Sequence, residues 1–560
     1  ALGASSLNSN TTGADNTALG LSACQTNTTG YHLVAVGRNA LAGNTTGYQN
    51  VAIGRACMEG NTTGSENVAI GQHALLVSTT GQYNVAIGAF ALDANTTAIK
   101  NTAVGAYALT DNTTGANNTA SGYASLANNT TASNNTAYGF ESLTQNTTGV
   151  NNTVVGAYAL DANTTGQESV AVGTYALTAS NGSFNTALGY NTMAANTTGT
   201  HNVAVGYAAL DANTTADNNT AIGSKSLGAN TTGQQNTALG SLAADAITTA
   251  SGVVAIGYNA LGTSSTGSDN TALGASAMGN ATSGQGNTAL GRTTLYANTT
   301  GSENTAVGKD SLKNNTTGGA NTGIGEGALE SNTGGSDNVA IGRNSLEGNT
   351  TGNKNHGIGR QALYVNTTGS DNTAVGYQSL YRNTTASNNT AVGYESMHNA
   401  TTGHSNTVVG GYALHDGTTG DYNVALGYAS MSFRTTGDYN TAVGHEAGRG
   451  AASNDPATGD GNTCVGRGAG EDLRSGNNNL LLGREAGKNA SPSGTVGTDS
   501  NRICLGNNDI SSAFIKVSFT VTSDKRDKTD IADFTHGLSW ITKLRPVTYR
   551  WDMRSNYDNG

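Results

Sequence analysis

The feature that most constrains this chain is a glycine that recurs with a fixed 17-residue period. It occurs 27 times between Gly3 and Gly444, and only the interval from Gly173 to Gly189 is shorter, by one residue. A short, fixed period predicts a solenoid, in which each unit packs on its neighbours and none folds alone. The repeat therefore overrides the expectation of several globular domains for a chain of 560 residues.

Composition narrows the possible functions. Charged residues make up 11% of the chain, the net charge is −11, and the repeats carry no basic cluster, so we expect no nucleic-acid partner. No apolar run is long enough to cross a bilayer, so we expect no membrane insertion. The first residue already lies inside a repeat, and any signal peptide or anchoring domain is therefore expected upstream.

Each 17-residue unit has the pattern of short β-structure. In the coil 50–66, the segment Asn50-Val51-Ala52-Ile53 precedes Gly54, and Asn-Thr-Thr-Gly follows at 61–64. The segment before the glycine is rich in β-branched residues and predicts a strand, whereas Gly and Asn tolerate positive φ and mark turns. No apolar pattern has helical spacing. The prediction is an all-β chain whose coils stack in parallel on one another.

Recurring side chains predict a thin core. The position four residues after the glycine holds Leu in most coils and Met in five, with Cys24 and Ala244 in two others, which predicts a buried column. The position two residues before it is nearly always Ala, which indicates another backbone close by. The repeated Asn residues, such as Asn27, Asn44 and Asn61, predict amide ladders between coils. Four cysteines without metal-ligand spacing fill such columns as small apolar residues: Cys24, Cys57, Cys464 and Cys504.

A single rod of this kind needs a second buried face. Each coil orders a whole turn of backbone but buries few apolar side chains, so an isolated rod is expected to be marginally stable. Self-association around the rod axis would supply the missing face, and the small-residue column is the surface expected to fit it.

Two coils carry the motif of a known repeat. Asn50-Val51-Ala52-Ile53-Gly54 and Asn67-Val68-Ala69-Ile70-Gly71 resemble the head repeats of trimeric autotransporter adhesins. The resemblance covers about residues 1–450 and implies a left-handed parallel β-roll in which three chains lie side by side. With about 4.8 Å between coils, this roll would form a rod about 130 Å long.

The end of the chain has a different composition. Of residues 524–560, 13 of 37 are charged, and both tryptophans lie here. The glycine period loosens first, and residues 511–522 have the pattern of a more conventional strand or strand pair. We therefore predict a β-solenoid shaft over 1–450, irregular repeats in a β-rich transition over 451–522, and a separate segment over 523–560.

The last segment resembles a second family. Ser523-Asp524-Lys525-Arg526-Asp527-Lys528, followed by Leu544-Arg545-Pro546-Val547 and Tyr549-Arg550-Trp551, is similar to the intramolecular chaperone domain of phage tail spikes and endosialidases. In that family the domain, a mixed α/β fold, helps three fibre chains to register and then cuts itself off. The resemblance implies that Ser523 is the self-cleavage serine, Asp524 the new N-terminus and Lys528 the base. The chain stops at Gly560, short of the full family domain.

Together these resemblances imply a homotrimeric phage tail fibre, in a virion or at a cell surface. Expected partners are a host cell-surface glycan or protein receptor and an upstream virion or anchoring component. The one reaction expected is single-turnover autoproteolysis at Ser523, which by itself also fits a helix N-cap. No cofactor or metal is indicated, because the histidines lack ligand spacing.

Other interpretations share the rod. A bacterial trimeric adhesin or extracellular filament would have the same shaft, and a glycan-degrading spike would need acids clustered across chains. Thr arrays resemble those of ice-binding solenoids, although adjacent Thr residues place one per coil on a given side. The Asn-Thr-Thr motifs match the N-glycosylation acceptor, but we expect them to form structural ladders.

Overall fold

The computed structural model describes residues 1–450, 457–489, 491–512 and 514. The regular secondary structure of this part of the chain consists of 29 strands, each three residues long. In chain order they are β1 Thr17–Leu19, β2 Val34–Val36, β3 Val51–Ile53, β4 Val68–Ile70, β5 Val85–Ile87, β6 Thr102–Val104, β7 Thr119–Ser121, β8 Thr136–Tyr138, β9 Thr153–Val155, β10 Val170–Val172, β11 Thr186–Leu188, β12 Val203–Val205, β13 Thr220–Ile222, β14 Thr237–Leu239, β15 Val254–Ile256, β16 Thr271–Leu273, β17 Thr288–Leu290, β18 Thr305–Val307, β19 Thr322–Ile324, β20 Val339–Ile341, β21 His356–Ile358, β22 Thr373–Val375, β23 Thr390–Val392, β24 Thr407–Val409, β25 Val424–Leu426, β26 Thr441–Val443, β27 Thr463–Val465, β28 Leu480–Leu482 and β29 Ile503–Leu505.

Each strand pairs in parallel with the strand of the next coil, at equivalent positions. Ala35 lies beside Ala52, and Ala52 beside Ala69. The stacking continues outside the strands, since the Met58 amide donates to the Ala74 carbonyl at 3.0 Å. The predicted all-β parallel solenoid of 17-residue coils is confirmed, and the described residues contain no helix.

The core of the solenoid is thin, because each coil buries only a few apolar side chains. The Ala of each strand and the Leu or Met four residues after the glycine are buried, as Ala52 and Met58 show. The column of small residues two positions before the glycine faces this interior. At Gly323, for example, the carbonyl accepts a hydrogen bond from Ser311 Oγ at 2.9 Å, and a Cβ on Gly323 would lie 2.6 Å from that hydroxyl. The expectation that this column fits a neighbouring chain is therefore wrong, because the same solenoid already covers it.

Two ladders of asparagine amides run through the solenoid, of which the first, through Asn27, Asn44 and Asn61, was predicted. In the first, Asn44 Nδ2 donates to Asn27 Oδ1 of the preceding coil and to the Gly47 carbonyl of its own turn. In the second, Asn50 Oδ1 accepts from both the backbone amide and the side-chain amide of Asn67. These side chains are buried, so the amides satisfy backbone groups that no strand pairs.

The turns have positive φ at the recurrent glycine, as the sequence suggests, but not at the ladder asparagines. Gly54 has φ 141°, and a Cβ there would meet the carbonyl oxygen of Gly71 in the next coil. The ladder asparagines Asn27, Asn44 and Asn61 are not among the positive-φ residues, whereas Met58 in the buried column is, with φ 52°. These asparagines do lie at turns, since the Asn61 amide donates to the Met58 carbonyl three residues earlier at 3.2 Å, but hydrogen bonds between coils place the positive φ at other side chains.

The coils become longer toward the C-terminal end of the solenoid. Five residues are added to the period between Gly444 and Gly466, and six between Gly483 and Gly506. Residues Ala1–Asp509 form one compact unit, and Ile510–Gly560 form a second. Apart from residues 511, 512 and 514, the strand or strand pair predicted over 511–522 lies outside the described residues. Within the described ranges, no helix is long and apolar enough to span a bilayer.

Candidate functional site

The most extensive candidate surface is an exposed aliphatic column, which we call the outer stripe. It consists of the residue before each recurrent glycine, from Leu2 to Val443. Alternation along each strand turns the central Ala inward and turns the outer-stripe residue away from the core. Among the aliphatic outer-stripe residues that lie in strands and are most open to solvent, the exposed fraction of the residue ranges from 37% at Ile70 to 47% at Leu188. Such a continuous apolar face is typical of an association surface.

The same alternation is visible in the sequence. A period of two places the residues on either side of the buried Ala on the opposite face of the strand. The smallness of the Ala column, by contrast, pointed to the wrong face for a neighbouring chain. The signal for the outer stripe is the aliphatic residue before nearly every glycine, interrupted only by Ser121 and Tyr138.

Aromatic side chains form a second type of surface. Nine rings on consecutive coils, which we call the N-terminal ladder, contact one another at centroid distances from 5.1 to 6.0 Å. They are His73, Phe90, Tyr107, Tyr123, Phe140, Tyr158, Tyr175, Tyr190 and Tyr207. The signal is recurrence one or two residues after the glycine, because coil stacking brings such residues into contact.

Two further ladders run side by side between residues 364 and 445. One contains Tyr364, Tyr381, His398 and His415, and the other contains Tyr377, Tyr394, Tyr412, Tyr428 and His445. The two ladders meet where the Tyr412 and His415 centroids lie 5.8 Å apart. Next to this junction lies a cleft of about 530 Å³ lined by aromatic and charged side chains.

Hydrogen bonding and burial shift the pKa values of two ladder side chains. A hydrogen bond with Glu395, together with burial, raises the pKa of Tyr394 to about 12. Burial lowers the pKa of His398, so its ring is neutral near pH 7. Burial raises the pKa of the Cys24 and Cys57 thiols to about 12, and these free cysteines are unreactive core residues. Among the described side chains, no group of three His, Cys, Asp or Glu could hold a metal ion.

The Asn-Thr-Thr motifs are structural. The Asn61 side chain is buried, and its amide nitrogen donates to Asn44 Oδ1 at 2.7 Å. Because this nitrogen is the atom that glycosylation would modify, a folded coil does not present it. The first Thr is also engaged, since Thr62 Oγ1 donates to the Thr79 carbonyl at 2.9 Å. Of the three residues of this motif, only the second Thr, Thr63, is exposed, so the motif leaves one exposed Thr in this coil.

The structure does not describe the predicted cleavage residues. Ser523, Asp524 and Lys528 all lie outside the described residues, and their roles stay predictions.

Comparison with known proteins bears on that segment. Residues 523–560 match the model of the family described as chaperone of endosialidase. A search of curated proteins found no match for the chain. The chain thus combines a parallel β-solenoid with a C-terminal segment that matches the chaperone of endosialidase family, an architecture that fits a tail fibre with an endosialidase-type chaperone domain.

Proposed function

We propose that the chain forms the trimeric shaft of a fibre that attaches to a host cell surface. The observation that carries this proposal is the outer stripe, an apolar face that the shaft leaves exposed along its repeats. A chain that needs a dedicated assembly chaperone is expected to have such a face, because apolar columns of three shafts must be matched coil by coil. The match at residues 523–560 supports this assignment over a cellular adhesin.

The chaperone segment would act once and then leave the fibre. In the proposed reaction, Lys528 takes the proton of the Ser523 hydroxyl, and the oxygen attacks the carbonyl carbon of Ser523. The bond to the Asp524 nitrogen breaks, the nitrogen receives the proton, and water opens the four-membered lactone that the attack closes within Ser523. The products are a shaft ending at Ser523 and a released segment beginning at Asp524.

The cleavage proposal is tested on a denaturing gel and by mass spectrometry of the full chain. Ser523→Ala should leave one uncut chain, and Lys528→Met should slow or abolish cutting. Ser518→Ala, a nearby serine variant, should be cut like the wild type. Normal cleavage of the Ser523 variant would refute the assigned role.

The trimer is tested by measuring mass in solution. The wild-type chain should have three times the mass of one chain. Replacing Ile53, Ile70 and Ile87 together with Asp should produce monomers, because charges on the outer stripe cannot be buried without large cost. The matched control replaces the exposed Thr46, Thr63 and Thr80 with Asp, which adds the same charges at the same spacing. A stable, folded wild-type monomer, or equal loss of trimer in both variants, would overturn the proposal.

Attachment is tested by co-sedimentation of the mature fibre with a panel of bacterial strains. Binding to some strains and not to others supports a receptor-reading fibre. Failure to bind any strain to which the fibre's source particle or cell is known to attach would contradict the proposed function.

A further inference from the structure

The cleft beside Tyr412 and Tyr428 differs from the rest of the shaft surface in its shape and in its lining. We call it the Tyr428 cleft, lined by Glu395, Tyr412, His415, Tyr428, Glu446 and Arg449. Its volume of about 530 Å³ is within the range of small-molecule sites. Tyr428 is 52% exposed, and its ring packs between Tyr412 and His445 at centroid distances of 5.9 and 5.3 Å. The ladder therefore holds an exposed ring rigidly at the cleft.

Close contacts with neighbouring side chains hold the polar side chains of the cleft in place. Arg449 Nη1 lies 2.6 Å from Glu446 Oε1, and its Nη2 lies 3.0 Å from Glu471 Oε1. On the other wall, His415 Nε2 lies 3.5 Å from Glu395 Oε2, while its Nδ1 contacts Asp416. Fixed side chains of this kind lose little entropy when a ligand binds.

The charges of the cleft restrict the class of ligand. The cleft is lined by two carboxylates, Glu395 and Glu446, and by one guanidinium, Arg449, which also contacts Glu471, so an anionic sugar, a phosphate or a nucleic acid would meet an excess of negative charge. The carboxylate oxygens of Glu395 and Glu446 instead accept hydrogen bonds, which suits hydroxyl groups. A ligand with an apolar flat face and several hydroxyls satisfies both the rings and the acids.

We propose that the Tyr428 cleft binds an uncharged pyranose-containing glycan. The apolar C–H face of a sugar ring packs against the part of the Tyr428 ring that its ladder neighbours leave exposed, and its hydroxyl groups donate to Glu395 and Glu446. The inference rests on the proposed attachment function and gives it a receptor class, a neutral surface polysaccharide, and a location near the end of the regular coils.

The shaft supplies a matched control for the key ring. Tyr207 stands one residue after a recurrent glycine, as Tyr428 does, and it is 53% exposed. Its ring stacks on Tyr190 at 5.9 Å. Removing either ring thus disrupts the ladder and removes a similar exposed area, but only Tyr428 belongs to the cleft.

The test measures binding of the mature fibre to arrayed neutral oligosaccharides of glucose, galactose, mannose and N-acetylglucosamine, with sialylated lactose as the charged comparison. Tyr428→Ala should weaken the best neutral ligand about tenfold or more. Glu395→Gln should also weaken it by removing a charged acceptor, whereas Tyr207→Ala should bind as the wild type. Mass in solution should be unchanged in all three variants.

Three results would overturn the inference: no neutral oligosaccharide bound, a preference for the sialylated probe, or equal losses in Tyr428→Ala and Tyr207→Ala. If the wild-type fibre and Tyr428→Ala then co-sediment equally with bacteria, the attachment function stands and the cleft is not its receptor site. If the wild-type fibre binds no cells either, the proposed function itself fails.

Discussion

The inner and outer faces of each coil obey different rules. Inside, the same few residues recur: a buried Leu or Met, a buried Ala and two Asn ladders. Outside, one column stays aliphatic, while neighbouring positions change from Tyr to Glu, Lys or Asn between coils. The difference shows that stacking constrains the interior in every coil, because each side chain there contacts its own copy in the next. The outer positions are free to carry association and binding.

One coil, residues 156–172, presents both faces and allows the comparison to be tested with single substitutions. We expect the size of the change in stability to decrease from the buried column, through the turn glycine and the ladder, to a half-buried acid, where the loss becomes a small gain.

The largest effect should come from Leu160→Asp. Leu160 is 1% exposed, and a carboxylate there loses the packing of the Leu and buries a charge, at a cost of about 5 kcal/mol. Hydrogen exchange should show local disorder in the coils on both sides. Thr165→Asp, at an exposed position in the same coil, should leave the exchange pattern of the same region intact. An unchanged melting curve for Leu160→Asp would contradict its burial.

A smaller loss is expected from Gly156→Ala. Gly156 has φ 141°, and a Cβ would meet the carbonyl oxygen of Gly173 in the next coil. The strain should cost about 3 kcal/mol, measured by chemical unfolding. Ala157→Gly, one position further along, should cost well under half as much. Equal effects at the two positions would show that the turn does not require glycine.

Next in size is Asn163→Ala in the first ladder. Asn163 Nδ2 donates to Asn146 Oδ1 at 3.0 Å and to the Gly166 carbonyl at 3.0 Å, while its Oδ1 accepts from the Gly166 amide. Removing the amide leaves buried groups unpaired and should cost about 2 kcal/mol in chemical unfolding. The exposed Thr165→Ala is the control and should be neutral. A neutral Asn163 variant would mean that the ladder adds no stability.

The smallest effect should come from Asp161→Asn, and it should depend on pH. Burial raises the pKa of Asp161, and its Oδ1 has no hydrogen-bond partner among the described residues. The folded state therefore binds the proton more tightly than the unfolded state, and the ionised carboxylate lowers stability above the raised pKa. The variant should melt about 1 °C higher at pH 7. Below the ordinary pKa of Asp, near about 4, the gain should disappear.

The exposed Asp371→Asn serves as the control and should show no comparable pH-dependent gain. A stabilisation of Asp161→Asn that persists unchanged at low pH would contradict the electrostatic explanation.

Much of the fold was predictable because each position of the repeat stacks on the same position of the next coil. The strand before each glycine, the buried column at positions such as Leu160, and the amide ladder through Asn163 all follow from residue types at a fixed spacing. The ring ladders were harder to predict, because the separation of Tyr412 and Tyr428 falls one residue short of the period and the two rings occupy different positions in their coils. Only the turn geometry brings such rings together.

The sequence by itself determined the period, the parallel stacking and the chaperone resemblance at the end of the chain, because residue type and spacing carry these signals. The tertiary structure decided which small column faces inward, which aliphatic column is left exposed, and where two aromatic ladders meet beside ion-paired acids. These outcomes depend on the direction of each side chain around the coil. That direction is set by the left-handed turn residues and by hydrogen bonds between coils, which no single repeat encodes.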